Sequence, residues 1–106
     1  MNIKPTQMYL GVPQQTKIPV YEVQSNQQST VKQVILTNTD SEDAKITITV
    51  NTVDIMKNLV VAAGETKLLK IEIVLNQNDR LLLQQEKENA INVIISGVTE
   101  TLGMMM

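Results

Sequence analysis

Carboxylates are the first candidates for chemistry in this sequence. The chain has eleven Asp and Glu residues but no His and no Cys, so the usual general base and a thiolate nucleophile are absent. Nucleophilic catalysis by a Ser-Lys pair needs neither residue. Two carboxylates could also act as in glycosidases, where one protonates the leaving group and the other attacks or activates water. The candidates for such a pair are Asp54, Glu65, Asp79 and Glu86.

Composition argues against this carboxylate chemistry. Eleven carboxylates in 106 residues bring some pairs together by chance. The chain has no Phe and no Trp, and its two aromatic residues are Tyr9 and Tyr21, so a sugar would lack an aromatic platform. We therefore expect a protein that is not an enzyme and that has no catalytic residues.

Two clusters of oxygen-bearing side chains have the alternating spacing of calcium loops. Such loops also need a Gly at the sharp turn and a bidentate Glu further along, and neither cluster has them. Asx and hydroxyl side chains also favour plain turns. We interpret both clusters as solvated turns and expect no metal ion and no cofactor. The clusters are Asn38, Asp40, Glu42 and Asp43, and Asn76, Asn78 and Asp79.

Charge and hydropathy restrict the partners. The nine Lys and Arg residues are scattered and the net charge is -2, so no basic stripe is available for nucleic acid. The four Gly residues lie far apart and form no phosphate loop. The apolar runs are shorter than the ~20 residues of a membrane helix, and Met1–Pro5 lacks the apolar region of a signal peptide. We expect no nucleic acid, no membrane and no small-molecule substrate as partners.

Strands must position these side chains, because apolar and polar residues alternate along much of the chain. The clearest example is 44–51, where Ala44, Ile46, Ile48 and Val50 share one face. Turn signals recur every ~8–12 residues, which is typical of an antiparallel β-sandwich. We therefore predict an all-β, antiparallel β-sandwich, jelly-roll or Ig-like, with seven to eight strands. The predicted strands are 16–23, 29–38, 44–51, 52–57, 59–61, 66–75, 81–83 and 90–99.

Several residues refine this prediction. Pro19 cannot donate a ladder hydrogen bond, so its strand should lie at an edge or contain a bulge. The run Val34–Leu36 is apolar on both faces and predicts a central strand. Ala63 and Gly64 predict a hairpin turn. Segment 79–89 also contains good helix formers, so a helix is the alternative to the strand that we predict there.

The ends of the chain lack a clear pattern. We predict an extended N-terminal arm at 1–15, a β-sandwich domain at 16–100 and a flexible C-terminal tail at 101–106. The arm could also be a short edge strand around Met8–Val12. Gln-rich segments at 14–15, 24–28 and 84–85 predict loops or wet contacts with neighbouring subunits.

Six segments between Thr16 and Thr99 carry a resemblance to a known family. They are Ile18–Val23, Val34–Asp40, Asn58–Val60, Ala62–Thr66, Asn78–Arg80 and Val93–Val98. In these turn-and-strand signatures the chain resembles small β-sandwich structural proteins of tailed bacteriophages. It departs from their pattern at Asn78, where a Gly often precedes the Asp.

The resemblance implies a non-enzymatic bacteriophage virion structural protein, made in the host cytoplasm and attached to the tail, neck or capsid surface. Such proteins are homo-oligomers that dock on other virion proteins. The contact residues that we predict are Met8, Tyr9 and Leu10 in the arm, Tyr21 on the edge strand, and Met104, Met105 and Met106 in the tail.

Two other functions stay open at the sequence level. One is a virion-surface receptor- or carbohydrate-binding module, for which Tyr21 is nearly the only aromatic contact. The other is a small hydrolase that uses a carboxylate pair.

Overall fold

The structure is a computed structural model, and it describes residues 2–102. These residues form eight β-strands joined by turns and loops, which confirms the predicted all-β fold. Within them, no helix is long and apolar enough to cross a membrane. The chain is elongated, 55 × 23 × 18 Å. The strands are β1 (Asn2–Gly11), β2 (Ile18–Glu22), β3 (Gln27–Asn38), β4 (Ala44–Val50), β5 (Val53–Val61), β6 (Thr66–Leu75), β7 (Arg80–Gln85) and β8 (Ile91–Thr101).

The strands form two four-stranded antiparallel sheets. The first sheet has the order β1-β8-β3-β6 and the second has the order β2-β7-β4-β5. The first strand therefore pairs with the last, the second with the seventh, the third with the sixth and the fourth with the fifth. A chain doubled back on itself and then rolled into two sheets gives this order. It is the double-sheet jelly roll, one of the two sandwich types that the sequence predicts.

The core between the sheets is aliphatic. In β4, Ala44, Ile46 and Ile48 are buried as the alternation predicts. Leu36 of β3 and Ile95 of β8 meet them from the first sheet and are also fully buried. Burying such side chains stabilises the fold by about 1.5–3 kcal/mol each. This packing holds the two sheets face to face.

Three local predictions are confirmed. Pro19 lies in β2, which is an edge strand, and the register against β7 shifts between Pro19 and Tyr21. Strand β3 lies inside its sheet, with Val34 and Leu36 buried. The segment that could have been helical forms strand β7.

The turn at Ala63 and Gly64 is present, but it does not close a hairpin. Gly64 has a φ of 73°, and the Glu65 N–H donates to the Ala62 carbonyl at 2.9 Å. The turn connects β5 and β6, and these two strands lie in different sheets, because β5 pairs with β4 and β6 pairs with β3. Within residues 2–102, β4 and β5 are the consecutive strands that pair with each other. The hairpin prediction is therefore wrong, since turn residues set a reversal but not the sheet that follows.

The N-terminal segment is part of the sandwich. Strand β1 pairs with β8 along its whole length, from Asn2 opposite Thr101 to Gly11 opposite Val93. The arm predicted at 1–15 is therefore replaced by an edge strand and a short loop. Thr101 belongs to β8, so the sandwich extends beyond both of the predicted limits, 16 and 100.

Gly97 marks a crowded point in the first sheet. The register of β1 against β8 shifts opposite Ile95 and Ser96, with Met8 as the extra residue. The register of β3 against β8 shifts opposite Ser96 and Gly97, with Lys32 as the extra residue. The extra residues therefore lie in the two strands next to β8 and not in β8 itself. A Cβ on Gly97 would lie 2.0 Å from the Thr30 carbonyl oxygen. Only Gly therefore fits between β3 and β1 here.

Candidate functional site

A polar cleft of about 430 Å³ lies on the outer face of the second sheet. Lys45 and Thr47 of β4 form its floor, because they alternate with the core residues Ile46 and Ile48. Strands β5 and β7 and the loop before β2 supply the walls. The lining residues are Gln15, Lys17, Lys45, Thr47, Asp54, Lys57, Asn58, Gln84, Gln85 and Glu86.

Asp54 is fixed in this cleft by two donors. The Thr49 hydroxyl donates to Asp54 Oδ1 at 2.7 Å, and Lys17 Nζ lies 3.1 Å from the same oxygen. These hydrogen bonds, first that of Thr49 and then that of Lys17, lower the pKa of Asp54 below its usual value. Asp54 is therefore a carboxylate at neutral pH and not a proton donor.

The cleft is suited to polar or anionic groups. Lys17, Lys45 and Lys57 bring three positive charges to it, against Asp54 and Glu86. None of its ten lining residues is aromatic, so it offers hydrogen bonds and charge but no stacking surface.

The four candidate carboxylates do not converge on one point. Asp54 and Glu86 line the cleft. Glu65 lies in the β5–β6 turn, where its side chain accepts from the Ala62 N–H at 2.8 Å. Asp79 lies in the β6–β7 turn and accepts from the Asn76 N–H at 2.8 Å. The glycosidase hypothesis therefore keeps one candidate pair, Asp54 with Glu86.

The first oxygen-rich cluster is a turn whose polar groups bind one another. Asn38 Nδ2 donates to the carbonyls of Glu42 and Val61, at 2.8 and 2.9 Å. Asn38 Oδ1 accepts from the Asp40 N–H at 2.8 Å. Lys87 forms an ion pair with Asp40 and with Glu42. In the part of the chain that the structure covers, no three acidic side chains are grouped as metal ligands.

The predicted contact residues have different environments. Met8 is in the core, 6% exposed, so it cannot contact a partner, and this part of the prediction is wrong. Tyr9 is half-buried against the core, and burial raises its pKa. Leu10 is 64% exposed and can contact a partner. The predicted contacts at Met104, Met105 and Met106 lie outside the described residues.

Tyr21 joins the two sheets at one end of the sandwich. Its hydroxyl lies 2.8 Å from Ser29 Oγ and 3.2 Å from Thr99 Oγ1. Thr99 also accepts from the Thr6 hydroxyl at 3.0 Å. Because Tyr21 belongs to the second sheet and the other three to the first, this hydroxyl cluster bridges the sheets. The Tyr21 hydroxyl is therefore engaged within the chain.

Gln85 is a structural residue that the sequence analysis missed. Its side chain is buried and donates to the Pro13 and Ile91 carbonyls, and its Oε1 accepts from the Ile91 N–H at 2.9 Å. The neighbouring Gln84 donates to the Gln15 carbonyl at 2.8 Å. The Gln-rich segments 14–15 and 84–85 thus bind each other and fix the β1–β2 loop that forms one wall of the cleft.

Comparison with known proteins shows the fold. No family model matches the chain, and no curated protein does. Among solved structures, a chain of the T13 IBDV viral particle matches with a TM-score of 0.60, covering 94% of this chain at 10% identity. The two chains therefore share a fold. This chain spans 31% of the length of that neighbour, and at 10% identity the likeness shows the fold alone.

Proposed function

We propose that this chain is a non-enzymatic structural protein of a bacteriophage virion. It self-associates and docks on other proteins of the tail, neck or capsid, and it is made in the host cytoplasm. The observation that carries the proposal is the jelly-roll fold of this chain, together with its structural similarity to a chain of a viral particle at a TM-score of 0.60. Jelly rolls are typical of viral capsid domains, although lectins and cupins also use them.

The distribution of exposed apolar side chains supports the assembly role. Within the part of the chain that the structure describes, nine large apolar side chains are more than a third exposed, and all of them except Val12 lie on the four edge strands. Edge strands offer unpaired backbone groups, so apolar side chains there favour contact with another subunit. The nine are Ile3, Leu10, Val12, Ile18, Val53, Ile55, Val60, Leu68 and Val74.

The absence of an enzymatic role is part of the proposal. Asp54 has a lowered pKa and two donors, so it is poorly suited to act as a general acid. Its neighbour in the cleft, Glu86, would then have to protonate the leaving group alone.

Quantitative mass spectrometry of purified particles tests the proposal. We expect this chain in many copies per particle, at a constant ratio to the other structural proteins across a density gradient. An intracellular protein of the same virus that is not part of the particle serves as the control. If this chain is made in infected cells but is depleted from particles as strongly as that control, the virion role is wrong.

The cleft favours a second candidate, a virion-surface module that binds a receptor or a carbohydrate. Three Lys side chains around a polar floor suit an acidic sugar better than a neutral one. A glycan array that includes sialylated and sulfated sugars tests this function. Binding that is lost in Lys45→Ala but kept in Lys4→Ala would support it, and an array without any binding would contradict it.

A further inference from the structure

Strand β6 is the edge most open to pairing. Within the described part of the chain it pairs with β3 on one side and with no strand on the other. Its 10 residues include no Pro and no residue with positive φ. The other edges contain Pro5 in β1, Pro19 in β2 and Asn58, with a φ of 55°, in β5. Such residues interrupt a hydrogen-bond ladder and protect an edge.

Both faces of β6 present apolar side chains that the chain itself leaves uncovered. On the outer face, Leu68 and Val74 are each 52% exposed, and the exposed Lys70 and Glu72 lie between them. On the inner face Leu69, Ile71 and Ile73 are only partly buried, whereas Leu75 at the end of the strand is fully buried.

The order of these residues is self-complementary in an antiparallel pair. If two copies of β6 pair about a twofold axis through Ile71, each residue faces the one equally distant on the other side of Ile71. Lys70 of each copy then faces Glu72 of the other. Leu68 faces Val74 on the same surface. On the inner face Leu69 faces Ile73 and Ile71 faces itself, while Lys67 faces Leu75 at each end of the pair. Directly opposed side chains of opposite charge or of apolar character stabilise a strand pair.

Neighbouring registers lack this complementarity. Opposed residues in a strand pair must lie on the same face of the sheet. The twofold axis can therefore pass through a residue but not between two consecutive residues, which lie on opposite faces. An axis through Lys70 would place Lys70 opposite Lys70, and an axis through Glu72 would place Glu72 opposite Glu72. Like charges in opposed positions are destabilising. The register through Ile71 is therefore the one that the charges select.

The structure around Glu72 is compatible with such pairing. The register of β6 against β3 shifts at Ile71 and Glu72, opposite Lys32. The alternation of exposed and half-buried residues nevertheless continues through this point. Lys32 Nζ lies 3.4 Å from Glu72 Oε1, so Glu72 would have one Lys of its own chain and one of the second copy beside it.

We propose that two copies of this chain form a dimer through antiparallel pairing of β6 with β6 about a twofold axis through Ile71. The two four-stranded first sheets become one continuous eight-stranded sheet. This inference specifies the self-association in the proposed function and rests on that part of it alone.

Charge reversal tests the register. Lys70→Glu and Glu72→Lys each place like charges opposite one another at two points of the dimer, so we expect the dimer dissociation constant to rise by about tenfold or more. The double variant restores opposite charges and should return to within about threefold of the wild type. Lys4→Glu, on the far edge of the same sheet, is the matched control. The measurement is molar mass by light scattering over a concentration series, with circular dichroism to confirm folding.

A monomeric wild type at every concentration overturns the proposal. So does a dimer that the single variants leave unchanged, or one that the double variant fails to restore.

Disulfide trapping gives a second test that needs no charge change. The chain has no Cys, so Ile71→Cys introduces a single thiol opposite itself, and Cα atoms about 4.5–5.5 Å apart across an antiparallel pair suit a disulfide. Under mild oxidation we expect Ile71→Cys to form a dimer much faster than Lys4→Cys, which places a thiol at an exposed position of the far edge strand. Equal rates for the two variants overturn the proposal.

The failure of this inference is distinguishable from the failure of the proposed function. If the chain is abundant in particles but the charge variants keep the wild-type mass, the β6 pairing is wrong and the virion role stands. If the chain is absent from particles but dimerises as described, the virion role is wrong and the β6 pairing stands.

Discussion

Gln85 and Gln84 are adjacent and chemically identical, yet they have different roles. Gln85 is buried and fixes the Pro13 loop to the start of β8, whereas Gln84 lies on the outer face of its sheet and donates to one loop carbonyl. A buried amide with all of its groups paired stabilises a fold mainly because losing it leaves its partners unpaired.

Replacing Gln85 should therefore cost much more than replacing Gln84. Gln85→Met keeps the side-chain length but leaves the Ile91 N–H and two carbonyls without partners, and we expect a loss of about 3 kcal/mol in unfolding free energy. Gln84→Met, the matched control, should cost less than about 1 kcal/mol. Urea unfolding measures both, and equal losses would contradict the assigned role of Gln85.

Gly is required at position 97 because a neighbouring strand leaves no room for a Cβ, and not because of a positive φ. Gly97→Ala would force a Cβ against the Thr30 carbonyl oxygen, 2.0 Å away, and we expect a loss of about 3 kcal/mol. At Gly64 a Cβ meets open space but φ is 73°, so Gly64→Ala should cost about 1 kcal/mol. Thermal and urea unfolding compare the variants, and a Gly97→Ala variant as stable as Gly64→Ala would show that the strands can separate here.

Asp54 makes the unfolding free energy of the protein decrease as the pH falls. Because Thr49 and Lys17 lower its pKa in the folded state, its contribution is present above its unfolded pKa, near 4, and is lost as the pH falls through the lower folded value. Asp54→Asn should therefore lower the unfolding free energy at about pH 7. The difference in unfolding free energy between about pH 7 and about pH 2 should be smaller in this variant than in the wild type. Urea unfolding at both pH values tests this, with the exposed Glu88→Gln as control. An unchanged difference in Asp54→Asn would contradict the assignment.

At the scale of elements, Asn residues form several of the turns that Gly often forms. Five Asn residues have positive φ, a conformation that Asn tolerates better than other side chains do. Asn78 has a φ of 68°, and its N–H donates to the Val23 carbonyl at 2.9 Å. The turn before Asp79 therefore forms without a Gly at position 78.

Substitution of Asn78 tests this explanation of the β6–β7 turn. Asn78→Gly should stay within about 0.5 kcal/mol of the wild type, because Gly adopts positive φ freely. Asn78→Val should lose about 2 kcal/mol, because a β-branched side chain is strained in that conformation. Unfolding free energies in urea compare the two, and a Val variant as stable as the Gly variant would contradict the explanation.

The alternation of apolar and polar residues was sufficient to predict most strands. In β4 it gave the inner face correctly, with Ala44, Ile46 and Ile48 buried. It failed in β1, where the polar Thr6 points inward to the hydroxyl cluster and Met8 is an extra residue in the ladder. The partner of β1 is the last strand of the chain, and no local pattern specifies a pairing over such a distance.

The candidate site was predictable only in part. Asp54 and Glu86 were selected as carboxylates, and both line the cleft. The three Lys residues of the cleft come from the loop before β2, from β4 and from β5. Their spacing in sequence carries no signal, because the jelly-roll pairing alone brings these segments together. Gln85 likewise has no local feature that separates it from Gln84.

At the scale of the whole molecule, the exposed apolar side chains follow the sheet edges. The interior strands β8, β3, β7 and β4 carry none of the nine large exposed apolar residues. A chain that displays its apolar surface at four edges and its polar cleft on one face is suited to lateral contact with other subunits. This arrangement, together with the fold similarity to a chain of a viral particle, is the basis of the proposed virion role.

Cryo-electron microscopy of the purified virus particle tests the virion role most directly. The account predicts a repeated density that fits the elongated eight-stranded sandwich, with β1, β2, β5 or β6 at the contacts between subunits. A particle map whose densities are all assigned to other proteins, from a virus that makes this chain in infected cells, would contradict it.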